Sequence, residues 1–168
     1  RMVYSDIGAY VLGAVIEKVS GDRLGAYFQR HIARPLKLQE TVFTPPRSLR
    51  ARSAPTEIDT LRGGLVRGAV HDERAYYLGG VGAHAGLFGS ARDLSRFATM
   101  MLRHGELDGA RIFKPATISL FTRYDAPTFS NRALGWQKRE QPGMGFTTGA
   151  PWGGTMLSAS SFGHTGFT

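Results

Sequence analysis

The residues after Tyr4-Ser5-Asp6 constrain the fold most, because their apolar side chains repeat with the period of an α-helix. The apolar positions are Ile7, Tyr10, Val11, Ala14, Val15 and Val19. Ser5 or Asp6 can cap the first turn, and the helix is predicted to end near Ser20-Gly21. Tyr4 would then lie just before a helix N-terminus, where backbone N–H groups and the helix dipole favour negative charge. A packing aromatic residue in front of a capped helix explains the same pattern, so these residues alone do not identify a site.

Three further helices are predicted from apolar spacing and from cap residues. Asp22 can cap a second helix, which Pro35 would end. Ser90 can cap a third helix. The predicted buried face of that helix consists of Leu94, Phe97, Ala98, Met101 and Leu102. A short fourth helix is predicted from Pro115 to Phe121, because proline is favoured at the first helical position.

The predicted strands lie mostly toward the C-terminus. A short strand is expected at residues 41–43, a second at 133–137 and a third within 156–167. Residues 45–56 and 61–89 are rich in Pro, Arg and Gly, and this composition predicts irregular surface loops. Helices early and strands late indicate an α+β fold, with part of its sheet at the C-terminal end.

Length and composition fit one ordinary domain. The chain has 168 residues with 42% hydrophobic content, which is enough for one core. The absence of Cys excludes disulfides, thiolate catalysis and Cys-based zinc sites. No apolar run approaches the roughly 18 residues of a membrane span. The net charge of +8 is dispersed rather than clustered, so we predict no nucleic-acid partner; salt-sensitive retention on DNA would contradict this.

Two groups of residues resemble cofactor or metal motifs without their spacing. Gly80-Val81-Gly82 and Gly86 precede a helix, but their order does not match a dinucleotide-binding turn and no βαβ unit surrounds them. The residues that could supply metal ligands are His71, Asp72, Glu73, His84 and His104. No pair of them has the spacing of a known metal site. We therefore predict no cofactor and no metal.

The chain also lacks the common serine-nucleophile motifs. Gly-x-Ser-x-Gly, the nucleophile elbow of the α/β hydrolases, is absent. Ser-x-x-Lys is absent too. The nearest match is Ser20-Gly21-Asp22-Arg23, but a guanidinium cannot act as a base, so this segment is interpreted as a junction between helices.

Residues 161–167 combine a histidine, a hydroxyl and two glycines on one predicted strand. Strand alternation would place Phe162, His164 and Gly166 on one face. Gly166 leaves room for a ligand backbone beside the strand, while His164 and Thr165 offer a titratable donor and a hydroxyl. An ordinary edge strand can have the same residues, so the segment gains meaning only in combination with others.

Taken in order, these segments resemble the serine β-lactamase and penicillin-binding-protein superfamily, in particular its class C-like branch with esterases and D-aminopeptidases. The matching segments are Tyr4-Ser5-Asp6, Arg34-Pro35-Leu36, Gly86-Leu87-Phe88-Gly89-Ser90 with Asp93-Leu94, and His164-Thr165-Gly166. The resemblance implies a helical cluster packed beside an antiparallel sheet. It also implies a Ser-x-x-Lys serine that attacks an acyl carbonyl and forms an acyl-enzyme, which water then hydrolyses.

The resemblance implies two catalytic groups in this chain. Tyr4 matches the tyrosine that moves a proton between nucleophile, lysine and leaving group. The backbone N–H of Phe167 matches one donor of the oxyanion hole, a kind of group worth about 3 kcal/mol to the transition state. The other donor would be the N–H of the serine nucleophile.

The resemblance also implies four substrate-binding residues; one of them departs from the usual motif, and another has the histidine that only some members have. Asp6 stands where Asn is usual, so a carboxylate replaces an amide donor at a substrate contact. His164 stands where many members have Lys, so binding of a substrate carboxylate would be weaker or more dependent on pH. Thr165 and Gly166 complete the motif.

By this resemblance, residues 1–168 form part of one β-lactamase-related domain. Ser-x-x-Lys would precede the tyrosine motif and the remaining sheet would follow His-Thr-Gly, so both would lie outside this sequence. The parent protein is expected to be a periplasmic or secreted hydrolase. It would act on a small-molecule or peptide substrate: a β-lactam, an ester or a D-amino peptide. The isolated chain is expected to be inactive. A non-catalytic module that binds peptidoglycan-like peptides is the alternative.

Overall fold

The computed structural model describes residues 5–123, 130–139 and 157–166. They divide into two compact units, one within residues 4–112 and one within residues 113–167. Within the described ranges there are six α-helices and eight short strands, and the strands form four two-stranded antiparallel sheets. The predicted α+β class is therefore confirmed.

The helices are α1 (Asp6–Ser20), α2 (Leu24–Phe28), α3 (Arg47–Arg50), α4 (Glu73–Tyr77), α5 (Ala91–Leu102) and α6 (Pro115–Thr122). The strands are β1 (Val42–Phe43), β2 (Pro55–Asp59), β3 (Gly64–Arg67), β4 (Leu87–Phe88), β5 (Glu106–Leu107), β6 (Ala110–Arg111), β7 (Gln137–Lys138) and β8 (Phe162–Gly163). Helix α2 continues into a π-helical turn at Gln29–Ala33. Among these described helices, none has the length and apolar character needed to cross a membrane.

Helix α1 begins and ends as the sequence predicts. The Ser5 hydroxyl oxygen accepts a hydrogen bond from the Ile7 N–H at 3.3 Å, and Gly21 ends the helix with φ 75°. The predicted cap of α2 is wrong. Because the two helices form a tight hairpin, Glu17 of α1 accepts the Leu24 N–H at 2.8 Å, while Asp22 pairs with Arg30 instead.

Helix α5 is confirmed, but its predicted buried face is only partly right. The buried residues are Asp93, Met100 and Met101, which share one face of the helix. Leu94 and Leu102, predicted to be buried, are 59% and 72% exposed. The inward face therefore includes a carboxylate that apolar periodicity could not identify.

Asp93 turns inward because it holds the segment before β1. Its Oδ2 accepts the Glu40 N–H at 2.7 Å and the Thr41 hydroxyl at 2.9 Å. Burial raises the pKa of Asp93, but the hydrogen bonds from these donors together lower it by more, so the pKa lies below its ordinary value. The buried carboxylate thus joins α5 to β1, which pairs in turn with β4.

The prediction of irregular loops at residues 45–56 and 61–89 is wrong where these ranges contain α3, α4, β4 and parts of the β2–β3 hairpin, which spans residues 55–67. The Arg62 side chain is 9% exposed and pairs with Asp59. Its Nη1 donates to the Val70 carbonyl at 2.8 Å and its Nη2 to the His71 carbonyl at 2.9 Å. The hairpin is held by contacts of a buried guanidinium with backbone carbonyls. The sequence does not predict these contacts, because they leave no alternation of apolar and polar residues along the strands.

In the second unit, α6 agrees with the sequence, but the strand predicted at 133–137 is displaced. The Ala133 N–H donates to the Trp136 carbonyl at 2.8 Å across a turn in which Gly135 has φ 80°. Strand β7 therefore begins only at Gln137 and pairs antiparallel with β8. The strand predicted within residues 156–167 is confirmed as β8.

Candidate active site

The predicted site residues are distributed over both units. Asp6 is the first residue of α1 in the first unit. Residues 164–166 follow β8 in the second unit and are exposed. Tyr4 and Phe167 lie outside the described residues.

The histidine motif follows the end of its strand. Strand β8 ends at Gly163, so the predicted alternation of His164 and Gly166 along a strand is not observed. The His164 ring nitrogen Nδ1 lies 2.7 Å from the Thr165 carbonyl, to which it can donate a hydrogen bond. This local bond orients the imidazole through the backbone of its own motif.

Asp6 is paired with a residue that lies far from it in sequence. The Arg74 Nη1 on the first turn of α4 donates to Asp6 Oδ2 at 3.2 Å. The Tyr10 hydroxyl, followed by the Asp6 carboxylate, raises the pKa of Arg74 above its ordinary value. Asp6, which the sequence resemblance predicts to stand at the usual Asn position, is therefore part of an ion pair, and its cation remains charged at all physiological pH values.

A second carboxylate pair lies beside the same helix. Asp72 caps α4 by accepting the Ala75 N–H at 2.7 Å, and it also lies 2.9 Å from Nε2 of His84. Burial raises the pKa of Asp72, but the Ala75 N–H and the His84 ring together lower it by more, so the pKa lies below its ordinary value. The His84 side chain is 5% exposed, and its ring meets Tyr10 edge to face, with centroids 4.6 Å apart.

Two polar atoms of this cluster are buried without a hydrogen-bond partner among the described residues. They are Tyr10 Oη and His84 Nδ1. Arg74 is near enough to the Tyr10 hydroxyl for its pKa to respond, but the pair does not meet hydrogen-bond geometry. The contacts described here therefore leave one polar atom of each side chain accessible to a water molecule or a ligand group.

A cavity of about 550 Å³ lies beside the cluster, and Tyr10, Glu17, Arg74 and Gly82 are among the residues that line it. Gly82 lies directly against the buried histidine. A Cβ at Gly82 would come within 2.7 Å of His84 Cε1, so only glycine allows the imidazole to occupy this position. The His84 ring, its Asp72 partner and the α1 surface are thus held together at one edge of a concave surface.

Sequence patterns did not reveal this cluster. They present Asp72 and His84 only as candidate metal ligands, and they do not distinguish Arg74 as a site residue. The sequence does contain one signal for Asp72. Aspartate is a favoured N-cap residue, and a side chain that caps a helix accepts a backbone N–H about three residues further on, here that of Ala75. The contacts of His84 and Arg74 join these residues to α1, which is distant in sequence. The spacing of residues within one element therefore cannot predict them.

This α+β fold is shared with penicillin-binding proteins. A penicillin-binding-protein homologue from Caulobacter crescentus matches 94% of this chain and 45% of its own, with a TM-score of 0.60 and 20% identity. The chain belongs to the beta-lactamase family, whose model matches residues 1–168. The superfamily predicted from the sequence motifs is therefore confirmed.

Two curated relatives match the whole chain. It is 34% identical to N-acetylmuramyl-L-alanine amidase of Bacillus subtilis strain 168, over 40% of that relative's length. It is 35% identical to an Escherichia coli K12 protein named D-alanyl-D-alanine carboxypeptidase, over 41% of its length. The chain thus spans about two fifths of these relatives, and both names denote hydrolases.

Proposed function

We propose that this chain is part of a serine hydrolase that acts through an acyl-enzyme on a β-lactam, an ester or a D-amino peptide bond. The observation that carries the proposal is the family match over residues 1–168, which includes the sequence Tyr4-Ser5-Asp6; of these residues, Ser5 caps α1 and Asp6 begins it. The hydrolase names of the relatives support the same reaction type. Residues 1–168 would then be part of one β-lactamase-related domain.

In this proposal Tyr4 moves the proton and the Phe167 N–H stabilises the oxyanion. Asp6 and residues 164–166 bind the substrate. In sequence, Tyr4 directly precedes the cap residue of α1, and the dipole at a helix N-terminus favours the negative charge that a phenolate carries while a proton is transferred. The positively charged Arg74 beside Asp6 adds to this field.

The role of Tyr4 is tested by Tyr4→Phe in the full-length protein, with Tyr27→Phe as the matched control. Loss of a general acid–base should lower kcat by about 10²–10⁴-fold, whereas the control keeps its rate. The measurement is hydrolysis of a panel containing a β-lactam, a p-nitrophenyl ester and a D-alanyl peptide. Unchanged turnover of all three by Tyr4→Phe would refute the assignment.

The isolated chain is expected to be inactive, because it contains no Ser-x-x-Lys. Its folding would first be checked by circular dichroism, and it would then be incubated with a penicillin-type probe and with p-nitrophenyl esters. Intact-mass spectrometry should show no adduct, and the esters should not turn over. A stoichiometric covalent adduct would contradict this expectation.

The second candidate is a non-catalytic module that binds peptidoglycan-like peptides. The departure from the superfamily motif at Asp6 favours it, because the resemblance places this carboxylate where Asn is usual. This candidate predicts that the full-length protein binds D-alanyl peptides without hydrolysing any member of the panel. The presence or absence of Ser-x-x-Lys in the sequence before Arg1 of the parent separates the two candidates.

A further inference from the structure

The carboxylate of Asp6 lacks half of the hydrogen-bonding capacity of the amide that it replaces. An ionised carboxylate only accepts hydrogen bonds, whereas an Asn side chain both donates and accepts. A substrate amide beside this position offers one N–H and one carbonyl. Asp6 can therefore satisfy the N–H, but the substrate carbonyl needs a donor from another residue.

Arg74 supplies such donors at the required place. Its Nη1 lies 3.2 Å from Asp6 Oδ2, so the guanidinium is held directly beside the carboxylate. The Arg74 side chain is 69% exposed, and within the described ranges Asp6 is the residue to which it donates a hydrogen bond. A guanidinium has several N–H groups and no acceptor, so N–H groups remain to face a ligand.

The position of Arg74 is fixed by the buried cluster beneath it. Arg74 lies on the first turn of α4, which Asp72 caps. Asp72 is held in turn by His84, whose ring packs on Tyr10 of α1. The helix carrying Arg74 is thus tied to the helix carrying Asp6 by contacts that are independent of the ion pair. A pair fixed in this way loses little freedom when a ligand binds.

We propose that Arg74 determines substrate specificity by forming, with Asp6, a two-residue replacement for the usual asparagine. Asp6 accepts a hydrogen bond from the N–H of a substrate amide, and Arg74 donates one to the carbonyl of the same amide. This inference rests on the proposed hydrolase function and concerns how the chain would distinguish acyl donors that have an amide next to the scissile carbonyl from those that lack it.

The test compares two esters with the same leaving group in the full-length protein. The p-nitrophenyl ester of N-acetyl-D-alanine has the amide, and p-nitrophenyl acetate lacks it. Arg74→Gln should lower kcat/KM for the first ester by about 10–100-fold, the size expected for one charge-assisted hydrogen bond, and change the second by less than about threefold. Arg23→Gln is the matched control, because Arg23 forms another exposed carboxylate pair, with Glu17.

The double variant Asp6→Asn/Arg74→Gln provides a rescue that a merely structural role would not give. Asn again donates and accepts, so kcat/KM for the amide-bearing ester should return to within about fivefold of the wild type. Equal losses on both esters, an unchanged Arg74→Gln variant, or absence of rescue would each overturn the assignment of Arg74.

Failure of the hydrolase proposal is distinguished by a binding measurement. A wild-type protein that hydrolyses neither ester would refute the hydrolase function, and Arg74 is then tested by calorimetry with N-acetyl-D-alanyl-D-alanine. Arg74→Gln should weaken that binding by about tenfold or more, and the double variant should restore it. Binding that is unaffected by Arg74→Gln would overturn the specificity role in this case too.

Discussion

Asp93 and Asp72 are two carboxylates with similar local geometry and different surroundings. Each lies at the start of a helix and accepts one backbone N–H and one side-chain group. For Asp93 the donors are Glu40 and Thr41, at 2.7 and 2.9 Å. Asp72 is 2.7 Å from a backbone nitrogen of α4 and 2.9 Å from His84. Both carboxyl groups have a lowered pKa.

The two networks differ in how they end. Among the described residues, no buried side-chain atom of Asp93 or Thr41 lacks a partner. The Asp72 network instead ends at His84 Nδ1 and Tyr10 Oη, which have none. A fully satisfied buried network stabilises the fold, whereas an incomplete one keeps polar atoms ready for a ligand or a bound water. We therefore expect the Asp93 network to contribute more to the unfolding free energy than the Asp72 network. We expect the Asp72 network instead to leave polar atoms for a water molecule or a ligand.

The largest effect is expected from Asp93→Ala. It leaves the Glu40 N–H and the buried Thr41 hydroxyl without their acceptor, so the full-length protein should lose about 3 kcal/mol of unfolding free energy. Urea denaturation measures the loss. Glu106→Ala is the control, because its pair with Arg111 is exposed and should matter little. A loss equal to that of the control would show that the Asp93 network does not stabilise the fold.

A smaller effect is expected from Gly82→Ala. The new methyl would overlap the His84 ring and push it away from Asp72, at a cost of about 1–3 kcal/mol. Gly8→Ala is the control, because a Cβ there meets nothing within 4 Å and should stabilise α1 by about 0.5–1 kcal/mol. Thermal unfolding compares the two. If Gly82→Ala is as well tolerated as Gly8→Ala, the ring is not tightly held.

The Asp93 carboxylate should also make the unfolding free energy depend on pH, and this effect should be smaller than those of the two substitutions above. Because the folded pKa of Asp93 is lowered, its contribution is present above the unfolded pKa of about 4 and is lost as the pH falls below it. Urea denaturation of the wild type and of Asp93→Asn between about pH 3 and about pH 7 measures this. The difference between them should shrink toward low pH. A difference that does not vary with pH would contradict the role of the ionised form.

The smallest effect on stability is expected from Tyr10→Phe. Among the residues that the structure describes, the buried Tyr10 hydroxyl has no hydrogen-bond partner, so its removal should change the unfolding free energy by less than about 0.5 kcal/mol or stabilise the protein slightly. Chemical denaturation provides the measurement, with Tyr27→Phe for comparison. A loss of more than about 1 kcal/mol would mean that the hydroxyl has a partner, and the Asp72 network would then resemble that of Asp93.

The parts of the fold that the sequence predicts are those set by local interactions. Helices α1, α5 and α6 follow from apolar spacing together with a serine cap or a first-turn proline. The cap of α2 was wrong because its acceptor comes from α1 rather than from the preceding residue. The β2–β3 hairpin was missed because contacts with backbone carbonyls leave no pattern in the side-chain sequence.

The candidate site shows the same limit. Asp6 could be found because it belongs to a short motif at a helix start. Its partner Arg74 is 68 residues away, and no period or spacing connects the two. His84 looked like an isolated histidine among glycines until the structure placed Asp72 and Tyr10 around it.

The contacts of Arg62 constrain how the residues around the β2–β3 hairpin can change among related sequences. The Arg62 guanidinium binds the carbonyls of Val70 and His71, which any residue at those positions would also provide. The side chains at these two positions matter as well, because Val70 is buried and the His71 Nε2 lies 2.6 Å from the carboxylate of Glu57 in β2. The hairpin is therefore matched to the segment that it contacts, and residues 55–67 and 70–71 are expected to change together rather than separately.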